Sequence, residues 1–151
     1  MRNVFLTLLA GVVLLASCSS KKESKEPAME QEKTMVAEVA EEPSVFFKSP
    51  ADGATVPSPV FIEMGVKGMK IEPAGQVNEG FGHHHILINQ ASWPEGQVIP
   101  SSDSTIHFGK GQTDTSLELE PGEYTISLQF ANGVHASYGE DLAASIKITV
   151  E

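Results

Sequence analysis

Short runs in which apolar and polar residues alternate recur from residue 45 to the end of the 151-residue chain, separated by Gly, Pro, Asn and Asp. A period of two marks a strand with one buried face. Val60, Ile62, Met64 and Val66 share one face of such a run, with Phe61, Glu63 and Lys67 opposite. Near the C-terminus Ile146, Ile148 and Val150 alternate with Lys147 and Thr149. Residues 45–47, 105–108 and 116–119 read as short strands and 124–130 as a longer one. Residues 83–89 have a continuous apolar centre in Ile86, Leu87 and Ile88, which predicts a strand covered on both faces. Ser49-Pro50-Ala51-Asp52-Gly53 and Glu120-Pro121-Gly122-Glu123 carry turn chemistry. No window of eleven residues between 45 and 151 keeps a helical period.

Short strands with regular turn signals predict an all-β fold, an immunoglobulin-like antiparallel β-sandwich of about seven strands. Met64, on the apolar face of its run, belongs to the core. The segment Leu117-Glu118-Leu119-Glu120-Pro121-Gly122-Glu123-Tyr124 resembles a tyrosine corner, in which the hydroxyl ties the start of a strand to upstream backbone.

The first 44 residues follow a different pattern. Arg2 and the apolar stretch from Val4 to Ala16 read as a signal peptide over 1–17. That stretch is too short to span a bilayer, which takes about 20 residues. Leu15-Ala16-Ser17-Cys18 resembles the bacterial lipobox, which implies lipid attachment at Cys18, the one cysteine of the chain. Ser19 follows it in place of Asp, which for such lipoproteins implies the outer membrane, facing the periplasm or the cell surface. Residues 18–44 are polar, charged and without aromatic side chains, the composition of a flexible tether. The folded domain is then 45–151.

Charge narrows the partners. The chain has 10 basic and 20 acidic side chains, net −10, and the domain keeps −8 of it with five Lys against thirteen Asp and Glu. This excludes a nucleic-acid binder, which neutralises phosphates with Lys and Arg. A single cysteine also excludes an internal disulfide.

Histidine is the candidate chemistry. All five lie between 83 and 135: His83, His84, His85, His107 and His135. In a strand His83 and His85 point one way, about 6.5–7 Å apart along the chain, and His84 the other. His84 shares its face with Ile86 and Ile88 and reads as a packed core residue. His83, His85, His107 from a neighbouring strand and His135 from the loop after Phe130 form a candidate metal site. Met69 is an accessory candidate for Cu(I), and Lys110 can cap the site or pair with Asp114. The alternative is that the histidines are structural. His107-Phe108-Gly109-Lys110-Gly111-Gln112-Thr113 fails as a phosphate loop, because Ser or Thr does not follow the lysine and a strand comes next. No Gly-x-Ser-x-Gly elbow is present either.

Gly82-His83-His84-His85-Ile86-Leu87-Ile88 together with the His107–Thr113 segment resembles the bacterial family of domain of unknown function 4399. Ser49–Val56, Pro73-Ala74-Gly75 and Leu119–Thr125 fit it too, so that the resemblance runs over 45–151. It implies an envelope location and no particular activity. A looser similarity connects the chain to periplasmic copper-binding CopC-like sandwiches through a Ser-Pro-x-x-Gly-Ala start, a Pro-Gly-x-Tyr-Thr strand entry and a histidine in the next loop, here His135. Those proteins use an N-terminal histidine and a nearby Asp, whereas here Cys18 occupies the mature N-terminus and Asn132 precedes the loop histidine. The His83/His85 pair would have to supply the missing ligands.

The sequence therefore predicts a non-enzymatic, envelope-anchored lipoprotein that binds copper, or else zinc, through a histidine cluster. Imidazole suits both ions, and the affinity order favours Cu(II). The competing reading is a protein- or glycan-interaction module using the loop at Trp93-Pro94, with a metal–water or histidine–water hydrolase ranked below it.

Overall fold

The computed structural model describes residues 42–151, which belong to one compact unit. The signal peptide, Cys18 and most of the tether lie outside the described residues. Nine strands form: β1 Ser44–Ser49, β2 Ala54–Val56, β3 Val60–Lys67, β4 Lys70–Ile71, β5 Phe81–Ile88, β6 Thr105–His107, β7 Asp114–Leu117, β8 Gly122–Ala131 and β9 Ala143–Val150. One short 3-10 turn, Glu140–Leu142, precedes β9. Among the described residues no helix is long and apolar enough to cross a membrane.

All seven expected strands are present, and β7 begins and ends two residues earlier than its pattern suggested. The two additional strands are only three and two residues long, too short for alternation to show. Both pair in parallel, β2 with β9 and β4 with β5, so the fold is a sandwich with mixed edges. One sheet has three strands in the order β1-β3-β7 and the other six, β2-β9-β8-β5-β4 with β6 also on β5.

The alternating faces pack as the pattern requires. Val60, Ile62 and Met64 of β3 face Ile126, Leu128 and Phe130 of β8 and Ile146, Ile148 and Val150 of β9 across one main core. Phe61, on the other face of β3, is 52% exposed. The Tyr124 hydroxyl donates to the Glu120 carbonyl at 3.0 Å, so the predicted tyrosine corner is present. In β5 every residue from Gly82 to Leu87 is buried, because a second small cluster of Leu87, Ile99 and Ala131, with Trp93 against it, covers the outer face.

Register on β5 decides which way each histidine points. His84 pairs with Phe130 and Ile86 with Leu128, so these residues look into the main core. His84 meets the Phe130 ring edge-on at 5.1 Å between centroids, and neither of its nitrogens has a hydrogen-bond partner. A buried polar group left unpaired costs about 1–3 kcal/mol. His84→Leu, which keeps the bulk and removes the orphaned nitrogens, should therefore raise the melting temperature by about 4 °C or more, since 1 kcal/mol is about 4–8 °C in a domain of this size. A thermal melt checks this, and a lower melting point would show that His84 has a role beyond packing.

Candidate metal centre

His83 pairs with Ala131 of β8, and His85 pairs with Gln129 on one side and with His107 of β6 on the other. Directly paired residues share a sheet face. His83, His85 and His107 are thus placed together on the outer face by strand register alone. Ala131 opposite His83 is small, and the chain beyond it turns back so that His135 enters the same space. All six ring pairs among His83, His85, His107 and His135 have centroids 4.5–5.9 Å apart.

The nitrogens converge. Nε2 of His83 and Nε2 of His85 are 3.2 Å apart, and Nε2 of His107 and Nε2 of His135 are 3.1 Å apart. His83, His107 and His135 each present a nitrogen within 4.8 Å of the others. With metal–nitrogen bonds of about 2.0–2.1 Å, neighbouring ligands stand about 3.3 Å apart in a tetrahedron and about 2.9 Å in a square plane. The two close pairs fall between those values. These residues can hold a metal ion, and no described carboxylate or thiol joins the group at that distance.

The four rings differ in exposure. His83 and His85 are fully buried, whereas His107 and His135 are half-buried and form the solvent side. Burial, followed by the fields of His107 and His135, lowers the His83 pKa to about 4. Burial and the surrounding histidines bring His85 to about 3, and burial with the field of His135 lowers His107. His84, on the inner face, is lowered to about 4 by burial and then by His83 and Lys48. At neutral pH His83, His84, His85 and His107 are therefore uncharged, the form that binds metal. The Nδ1 atoms of His83 and His85 are buried with no partner.

Local chain features hold the two half-buried rings in place. A Cβ added at Gly109 would overlap Cε1 and Nε2 of His107, so the ring folds back over a residue that must lack a side chain. His135 takes a left-handed backbone, φ 68°, which costs of order 1–3 kcal/mol for a non-glycine residue. Asn132 supports that turn: its Oδ1 accepts from the N–H groups of Val134 and Ala136, both at 3.0 Å, and its carbonyl accepts from the His135 N–H at 2.9 Å. The segment from Glu72 to Gln76 straps both loops together. Ala74 N–H donates to Gly109 O at 2.9 Å and Gly75 N–H to Gly133 O at 2.8 Å, while a Cβ at Gly133 would run into the Gln76 carbonyl.

The rings of all four histidines singled out from the sequence lie within 5.9 Å of one another, but only His83, His107 and His135 bring ligand nitrogens within 4.8 Å of each other, and His85 is not in that group; His84 is set apart on the inner face. Met69 packs against the main core. Lys110 makes no ion pair with Asp114; its side chain is exposed, and its backbone N–H donates to Gln112 Oε1 at 2.9 Å. Sequence reading missed the roles of Gly109, Asn132 and the strap. The available signal was the His-x-Gly spacing at 107 and 109, which reads equally as turn composition.

Residues 62–151 match the family described as Domain of unknown function (DUF4399). The chain belongs to this family. The matched stretch contains the whole histidine cluster, the strap and the tyrosine corner, while Ser49–Val56 lies before it. No curated protein and no solved structure matches this DUF4399 chain.

The lowered pKa values set a direction for stability. Each folded-state value lies below the ordinary 6.5, so between 6.5 and about 4 the unfolded chain binds more protons than the folded one. The stability that goes with the neutral rings is complete above about pH 6.5 and is lost as pH falls toward 4 and then 3. Urea unfolding of metal-free protein should show a steep loss of stability from pH 6.5 to 4. A flat profile over that interval would contradict the buried, neutral assignment.

Proposed function

We infer that this protein is an envelope-anchored lipoprotein whose sandwich binds one transition-metal ion, copper in preference to zinc, through His83, His85, His107 and His135. The convergence of the His83, His107 and His135 nitrogens within 4.8 Å, with the His85 ring packed against them, carries the reading. The left-handed backbone at His135 works against stability, as binding sites do when geometry is held ready for a ligand. An all-imidazole set excludes a calcium or magnesium site, which needs oxygen ligands, and within the first-row divalent series it favours Cu(II) over Zn(II). The CopC-like similarity points the same way, with the local His83/His85 pair replacing the ligands this chain lacks.

For the alternative interaction module, Trp93 is partly packed against the Leu87–Ile99–Ala131 cluster and its backbone N–H donates to Gln129 Oε1 at 2.8 Å, so the metal reading has the stronger support. A non-enzymatic role remains our proposal. The outer-membrane location and the anchor at Cys18 rest on the lipobox-like segment and Ser19.

Thermal melts test the metal reading. An ion present at about 1,000 times its dissociation constant adds about 4 kcal/mol. At about 4–8 °C per kcal/mol, Cu(II) should therefore shift the melting point by well over 10 °C. The double variant His83→Ala/His85→Ala should lose the shift. Gly109→Ala should keep the fold, displace the His107 ring and weaken binding by about tenfold or more, roughly 1.4 kcal/mol. No shift with Cu(II) or Zn(II) would overturn the assignment.

The anchor has a separate test. Cys18→Ala should move the protein from the membrane fraction to the soluble fraction of the envelope. Unchanged membrane retention would contradict lipid attachment.

A further inference from the structure

We propose that the ion held by these histidines keeps a coordination position on its solvent side, between His107 and His135, that takes a small exogenous anion. The proposal rests on the metal-binding reading above and adds a ligand to it. Its first support is charge. Every protein donor is a neutral imidazole, and no described carboxylate or thiol joins the three nitrogens that lie within 4.8 Å of one another. A divalent ion placed there retains its full positive charge. In a partly desolvated site that charge attracts an anion far more strongly than it would in water.

Its second support is the asymmetry of burial. His83 and His85 are fully buried, which closes the approach from their side. His107 and His135 are half-buried, and the path to the ion runs past their edges. Reactive metal sites differ from structural ones in leaving such a position open, and both Zn(II) and tetragonal Cu(II) can accept a further ligand.

Its third support is rigidity. Ala74 and Gly75 tie the Gly109 and Gly133 carbonyls to one strap, so the loops that carry His107 and His135 are held at a fixed separation. Asn132 and Gly109 fix the two rings within those loops. The opening is built into the fold and does not depend on one ring swinging away.

Sodium azide is a suitable probe, added to the full chain loaded with Cu(II) and followed by near-ultraviolet absorption and electron paramagnetic resonance. The expected result is a new azide-to-copper charge-transfer band that grows to saturation, with the copper resonance shifting in step and the metal still bound after gel filtration. A Co(II)-loaded sample should lose d–d intensity on the same titration as it passes from four to five ligands. Bound copper whose spectra do not change, or copper stripped from the protein by azide, would overturn the proposal while leaving the metal site intact. A chain that takes up neither ion would overturn the metal reading, and this proposal with it.

Discussion

The register of β5 against β8 and β6 is the constraint on which the site depends. Because side chains alternate, a slip of one residue would turn His83 and His85 into the main core and bring His84 out. The slip is blocked from both faces. Ile86 faces Leu128 within the main core, and Leu87 packs with Ile99 and Ala131 on the outside, so an error would expose or misplace large apolar groups on either side. Three imidazoles are thus aimed at one point by the same burial that stabilises the sandwich, before any ion is considered.

The fourth imidazole arrives by a different route, and the cost is local. His135 occupies a left-handed backbone position, supported by the Asn132 side chain and strapped through Gly133 to the 72–76 segment. The rings themselves are a further cost. They are crowded within 6 Å of one another, and two of them have a buried nitrogen without a partner. A domain whose total stability is typically about 5–15 kcal/mol does not accumulate such features for packing alone. An ion held as proposed at the converging nitrogens would offset that cost.

Much of this was legible in the chain because it depends on parity. The alternation of Val60, Ile62 and Met64, the apolar centre of β5 and the separation of His84 from His83 and His85 all follow from a period of two. Leu117–Tyr124 announced its corner through a short, specific run of residues. The two- and three-residue strands β2 and β4 were not legible, since alternation needs length to register. Nor were the roles of Gly109, Asn132 and Ala74-Gly75, which arise from loops meeting in space. A sequence shows that a glycine follows His107 by two residues; only the fold shows that the His107 ring lies over it.

X-ray absorption at the metal edge of protein purified from the cells that produce it tests the central claim most directly. The expected result is one ion per chain, with a first shell dominated by nitrogen at about 2.0–2.1 Å and outer-shell scattering from imidazole rings. A first shell dominated by sulfur or carboxylate oxygen, or protein that carries no metal from its own source and takes up none when supplied, would contradict it.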